Sequence, residues 1–305
     1  MASPTGTTDA PFGRMLTAMV TPFTPDGEVD YAAVRRLATY LVDEQHNDGL
    51  IVNGTTGESP TTTDEEKQRI VSAVLEAVGD RATVVAGAGT NDTRHSVELA
   101  KQAARAGAHG LLLVTPYYNK PPQEGLYQHF TAVADATGLP VMLYDIPGRS
   151  GVPIKTETLL RLAQHERIVA VKDAKGDLFA ASQVMSATDL AFYSGDDLLN
   201  LAWLSLGAAG FVSVVGHVVG AELARMIHLH KNGDIAQALA VHSQVAPVVD
   251  GIMLRAGGAI MAKAALNMVG VPAGPVRLPL VDATEKQIAE LRACLVAGGV
   301  KLTDA

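Results

Sequence analysis

The feature that most constrains this chain is a series of eight short apolar runs. They are MLTAMVT (15–21), GLIVN (49–53), ATVVAGAG (82–89), GLLLVT (110–115), PVMLYD (140–145), IVAVKD (168–173), LAFYSG (190–195) and GFVSVV (210–215). Most are continuously apolar rather than alternating, which is the pattern of parallel strands covered on both faces. Their starts lie roughly 20–35 residues apart, the spacing that βαβ units require.

Helical patterns fill the intervals. Asp30 is placed to cap a helix that buries Val34, Leu37 and Leu41. Thr63 and Glu66 form a capping box for another, with Ile70, Val71, Val74, Leu75 and Val78 as its apolar stripe. Residues 124–137 offer Leu126, Phe130 and Val133. Eight strand–helix repeats imply an α/β fold, a (β/α)8 TIM barrel. The competitor is an open doubly wound sheet, but no glycine-rich dinucleotide fingerprint follows the first strand, and GAGTND (87–92) lacks the last glycine. After about residue 230 only helical patterns remain, near 233–252, 256–269 and 283–297. The expected organisation is a barrel over 1–230 and a C-terminal helical domain over 231–305, with residues 1–12 as a disordered tail.

Composition excludes several classes. A formal charge of -8 over 305 residues argues against nucleic acid, which needs a basic face. The single cysteine, Cys294, rules out an internal disulfide and favours a reducing compartment, so a cytoplasmic location is expected. Residues 198–221 carry no formal charge and approach the length of a membrane span. Asn200, Ser205, Ser213, His217 and four glycines interrupt them, so a short helix followed by a buried strand fits better.

In a barrel, chemistry gathers where the strands end. The exits here are NGTTGE (53–58), TPYYNKP (115–121), YDIPGRSG (144–151), VKDAKGD (171–177) and SGDD (194–197). On a period of two, Ile168, Ala170 and Lys172 share one face. If that face points inward, Lys172 ends an apolar tube, and desolvation lowers the pKa of its amine toward a nucleophilic, uncharged form. A snorkelling or salt-bridged lysine is the competing reading. Lys175 is the rival amine, but it lies past the strand end in a polar loop and is expected to stay protonated. Tyr144 ends the neighbouring strand, where it is either a proton-transfer group or a half-buried tyrosine with one partner. Thr55 and Thr56 sit on a glycine-flanked turn suited to a carboxylate. Arg149 is either a carboxylate fork or a surface arginine.

GTTGES, PYYNKP, YDIPGRSG and the lysine of VKDAKGD, together with MVTPF (19–23), resemble the pyruvate-dependent class I aldolase family typified by N-acetylneuraminate lyase and dihydrodipicolinate synthase. The resemblance spans nearly the whole chain. It implies a lyase in which Lys172 forms an imine with pyruvate. Tyr144, Thr56 and Tyr118 would form a proton relay, Tyr118 reaching in from a neighbouring subunit. Thr55 and Thr56 would hold the pyruvate carboxylate. Arg149 would grip the carboxylate of L-aspartate 4-semialdehyde, and Gly195 and the backbone near Val212 would line the site. It implies no metal and no cofactor, because the imine is the electron sink, and a homotetramer built as a dimer of dimers. The alternatives are cleavage of a 2-keto-3-deoxy sugar acid, for which family members generally lack an arginine at position 149, and a non-catalytic keto-acid sensor.

Many bacterial members are inhibited by lysine at a dimer interface. Ser59, Asn91 and Tyr117 match that site. His95 stands in place of a glutamate that meets the lysine ammonium, and Asp64 and Lys67 replace frequent histidines. The resemblance therefore implies weak or absent inhibition here.

Overall fold

The computed structural model describes residues 10–303. Eight strands, β1 (Met15–Ala18), β2 (Gly49–Val52), β3 (Thr83–Gly87), β4 (Gly110–Val114), β5 (Val141–Asp145), β6 (Ile168–Asp173), β7 (Ala191–Ser194) and β8 (Gly210–Ser213), follow one another in a closed barrel. The helices are α1 (Tyr31–Asp43), α2 (Asp64–Val78), α3 (Thr93–Ala106), α4 (Gln123–Asp135), the single turn α5 (Pro147–Ser150), α6 (Thr156–Leu162), α7 (Leu178–Ala187), α8 (Asn200–Ser205), α9 (Gly216–Lys231), α10 (Ile235–Met253), α11 (Gly258–Met268) and α12 (Glu285–Ala297). The TIM barrel with a C-terminal helical extension is thus the fold, α10 to α12 following the last strand. Among the described residues no single helix is long and apolar enough to cross a membrane.

By internal contacts the chain falls into two compact units. The first is Val85–Val212 with residues 10–13. Its strands pair in parallel register, including Leu113 with Leu143, Tyr144 with Lys172, and Lys172 with Tyr193. Phe192 turns outward to stack on Trp203 of α8, ring centroids 5.9 Å apart. The alternate residue Tyr193 therefore faces the barrel interior. Its hydroxyl donates to the Gly13 carbonyl at 2.9 Å and accepts from the Phe12 amide at 3.4 Å. Phe12 is fully buried, and a Cβ on Gly110 would lie 2.4 Å from its ring. Residues 1–9 of the expected tail lie outside the described residues. Phe12 differs from that expectation, because an aromatic ring with this much area to bury is held in the core.

The second unit is Arg14–Val84 with Ser213 onward. Asp30 caps α1 by accepting the Ala33 amide at 2.9 Å, and Thr63 and Glu66 form the reciprocal capping box of α2. Leu75 is only half-buried, whereas Ile70, Val71, Val74 and Val78 are in the core.

Within this unit the C-terminal extension fastens the loop that follows β2. Asn53 and Glu58 both adopt left-handed backbone conformations, φ 57° and 56°, which folds residues 53–58 into a compact turn. Thr21 donates to the Gly57 carbonyl at 2.7 Å. Glu58, only 3% exposed, is held at 2.7 Å by Lys263 of α11 and accepts the Arg277 amide at 2.8 Å. Arg277 also donates to the Thr61 carbonyl at 2.7 Å and forks onto Glu66. The Phe23 ring carries both cations on its surface, Lys263 at 4.2 Å and Arg277 at 4.3 Å from the centroid. Gly274 lets the segment before Arg277 cross Phe23, since a Cβ there would fall 1.7 Å from the Phe23 carbonyl oxygen.

Replacing Lys263 by Met strands a buried carboxylate. It is expected to lower unfolding stability by about 3–5 kcal/mol, measured from urea midpoints. A loss below about 1 kcal/mol, the scale of an exposed pair, would show that the Glu58 pair does not hold the loop.

Candidate active site

The inward face of β5 and β6 ends in Tyr144 and Lys172, which are register partners and each 4% exposed. Below Lys172 on that face lies Ala170, whose partners are Met142 and Ala191, so small and apolar side chains surround the lysine stem. The Lys172 amine lies over the Tyr144 ring, 4.0 Å from its centroid. Burial draws the amine down from the usual lysine value to about 7. Asp197 opposes this shift and the positive field of Arg149 adds to it. The snorkelling reading of Lys172 does not describe this structure.

Gly195 makes room for the stem. A Cβ there would lie 2.9 Å from Lys172 Cγ, 3.1 Å from Cε and 3.0 Å from the Asp173 carbonyl oxygen. The Gly195 amide donates to that carbonyl at 2.7 Å, so the chain after β7 runs directly beside Lys172. Val212 shares the interior face, because Gly210 pairs with Tyr193 and Val212 is two residues further along β8. Asp197, 3% exposed, accepts from Asn200 Nδ2 at 2.9 Å, which fixes its carboxylate.

Arg149 sits on the turn α5, exposed, with the buried Ser150 hydroxyl donating beneath it to the Ile146 and Val152 carbonyls at 3.1 and 3.0 Å. Tyr118 lies on the loop after β4 with φ 73° and is 89% exposed, so it stands out from its own unit rather than in the barrel mouth. Thr55 and Thr56 belong to the other unit, Thr56 buried and Thr55 half-buried on the 53–58 turn. Lys175 departs from its expected place in an open polar loop. Its side chain is 15% exposed and its ammonium is 3.0 Å from Asp145. Among the described residues no group of three or more His, Cys, Asp or Glu converges to hold a metal ion.

Sequence reasoning missed Asp197 and the Glu58–Lys263 pair. Asp197 carried a signal, since SGDD was marked as a strand exit. The pairing of residues 205 positions apart carried none.

An amine kept out of water at a barrel mouth, beside a phenol and under an arginine's field, is the equipment of a barrel lyase that works on carbonyl compounds. Comparison with known proteins narrows that class. Residues 11–297 match the model of the Dihydrodipicolinate synthetase family, and the chain belongs to that family. It is 64% identical to 4-hydroxy-tetrahydrodipicolinate synthase 2 of Streptomyces coelicolor over 98% of this chain and 100% of that one. The 4-hydroxy-tetrahydrodipicolinate synthase of Acidothermus cellulolyticus is also 64% identical, over 95% of this chain and 94% of that protein. Among solved structures, the enzyme of Cyanidioschyzon merolae with lysine bound superposes with a TM-score of 0.93 at 43% identity, covering 96% of this chain and 100% of that one.

Gly195→Ala is expected to displace the Lys172 stem and lower turnover in the family's condensation assay by roughly ten- to a hundredfold, the effect of misplacing a reacting atom by about 1 Å. Turnover within a factor of two or so of the parent, about 0.4 kcal/mol, would show that the lysine does not need that space.

Proposed function

We propose that this protein condenses pyruvate with L-aspartate 4-semialdehyde through a Schiff base at Lys172, the reaction of a 4-hydroxy-tetrahydrodipicolinate synthase in the diaminopimelate route to lysine. The observation that carries this reading is the burial of Lys172 at the end of β6, which holds its pKa at about 7.

An uncharged amine attacks the C2 carbonyl of pyruvate, and loss of water leaves the imine. Removal of a C3 proton gives the enamine, whose C3 attacks the aldehyde carbon of the second substrate. The amino group of that substrate then adds to the imine carbon, expels Lys172 and closes the ring. Each step moves protons, and Tyr144 is packed against the amine where they must be exchanged. We assign Thr56 and Tyr118 to the same relay and the Thr55–Thr56 turn to the pyruvate carboxylate. Gly195 and Val212 line the pyruvate end. Arg149 takes the carboxylate of the semialdehyde, as its exposed guanidinium above the strand ends permits. Sugar-acid aldehydes offer no such group at that position.

Tyr118 serves the relay of a second copy of the chain. Its exposed ring and left-handed backbone support that role, in a homotetramer built as a dimer of dimers. A cytoplasmic setting is consistent with a half-buried cysteine, Cys294, that forms no disulfide.

Borohydride reduction in the presence of pyruvate is expected to modify one peptide, the one containing Lys172, and Lys172→Ala is expected to abolish modification and turnover. Modification only at another residue would refute the reading. Because the free amine reacts, trapping should be slow below pH 7 and rise through about pH 7 to a plateau. Arg149→Ala is expected to raise KM for the semialdehyde by about ten- to a hundredfold, the loss of a hydrogen-bonded charge worth about 1.5–3 kcal/mol. Because its positive field helps keep the Lys172 amine uncharged, the same change is expected to move the trapping profile toward higher pH while leaving the plateau rate of pyruvate trapping in place.

Lysine inhibition should be weak. Lys67 is buried and donates to the Thr62 carbonyl, so its amine is committed to its own loop at a position where the resemblance places a histidine in many inhibited members. Adding L-lysine to about 1 mM, a binding free energy near −4.1 kcal/mol, is expected to leave the rate nearly unchanged. Half-inhibition at micromolar lysine would contradict this.

A further inference from the structure

Lys172 and Tyr144 use the inward faces of β6 and β5. The next residues, Asp173 and Asp145, are also register partners, and they point the other way, both buried. Asp145 begins the loop that carries Arg149, and it also closes it. Its Oδ1 accepts the amide of Ile154 at 3.2 Å, nine residues on, where the chain returns from the loop. Lys175 completes the neck. Its ammonium is 3.0 Å from Asp145 Oδ2 and donates to the Ile154 carbonyl at 3.2 Å, so one amine ties both limbs together. Asp173 aims that amine, because its Oδ1 accepts the Lys175 and Gly176 amides at 2.8 and 3.0 Å and folds the chain back toward β5. The far limb has a second anchor at the start of α4. Gln123 donates to the Pro153 carbonyl at 2.8 Å and accepts from the Lys155 amide at 3.0 Å and the Thr158 hydroxyl at 2.7 Å.

From this geometry we infer that Lys175 and Asp145 are positioning residues for the second substrate: their ion pair locks the Arg149 loop to the strand bearing Lys172 and so sets the distance between the carboxylate grip and the imine carbon. The inference rests on the roles given above to Arg149 and Lys172. A buried ion pair is a poor source of net stability, because desolvating both charges offsets most of their attraction. An apolar neck would close the loop as well. What an apolar neck lacks is direction, and this one joins three fixed points: the end of β5, the return of the loop and the turn after β6. Ser150 stiffens the interior of the loop, so an error at the neck is carried to the Arg149 guanidinium rather than absorbed.

The test is steady-state kinetics with borohydride trapping on Lys175→Met, Lys175→Arg, Arg149→Ala and the Arg149→Ala/Lys175→Met pair. Lys175→Met is expected to raise KM for L-aspartate 4-semialdehyde about tenfold or more, while pyruvate trapping at Lys172 keeps its parental rate. Lys175→Arg should recover part of the loss. The paired variant should be little worse than Arg149→Ala alone, because both changes remove one grip. If Lys175→Met does not fold, Asp145→Asn/Lys175→Gln keeps uncharged donors at the neck and is expected to give the same rise in KM. An unchanged KM, a parallel fall in trapping, or full additivity with Arg149→Ala would overturn the inference and leave the pair a structural contact only. If Arg149→Ala itself leaves KM unchanged, the assignment of Arg149 fails first and the inference falls with it.

Discussion

Everything in this site depends on keeping one ammonium group out of water. Lys172 sits where a strand runs out of the barrel interior, with Ala170 below it, the Tyr144 ring against it and no side chain at Gly195 to crowd it. An ammonium there loses much of its hydration, and the protein offsets this only in part. Asp197 favours the charged form and Arg149 disfavours it, while burial outweighs both. The result is an amine that gives up its proton near neutral pH, as a carbonyl nucleophile requires.

The alternation of a β-strand lets the same two strands do two jobs. Inward, Tyr144 and Lys172 present a phenol and an amine to the interior. Outward, Asp145 and Asp173 hold the loops that leave those strands. The barrel therefore needs no separate scaffold to orient its exits. Charges in the second unit follow the same economy, with Glu58 buried against Lys263 of α11 and Arg277 of the segment before α12, so that residues far along the chain shape the turn after β2.

Much of this was legible in the sequence. Apolar runs bounded by turn residues gave the strands, and the run at 168–173 coincides with β6. The run at 15–21 ends sooner as a strand, at Ala18, because the Val20 amide is taken by His217 Nε2 at 3.1 Å rather than by a ladder partner. Caps at Asp30 and Thr63 were readable because they depend only on neighbours three residues away. The inward orientation of Lys172 followed from period two once the barrel was accepted. The partner of Lys175 did not, since a polar loop residue gives no sign that it folds back onto a carboxylate 30 positions earlier. Nor did Phe12, which reads as part of a polar tail until its contact with Gly110 is seen. These failures share a cause, because each depends on a tertiary neighbour that local pattern does not encode.

The most direct measurement is the titration of Lys172 itself in the ligand-free protein. With the lysine ε-carbons isotopically labelled and Lys172→Met used to assign the resonance, the chemical shift of that carbon reports the charge on the amine as pH is varied. A midpoint at about 7 is the predicted result. A midpoint near 10, the value of a hydrated lysine, would contradict the account.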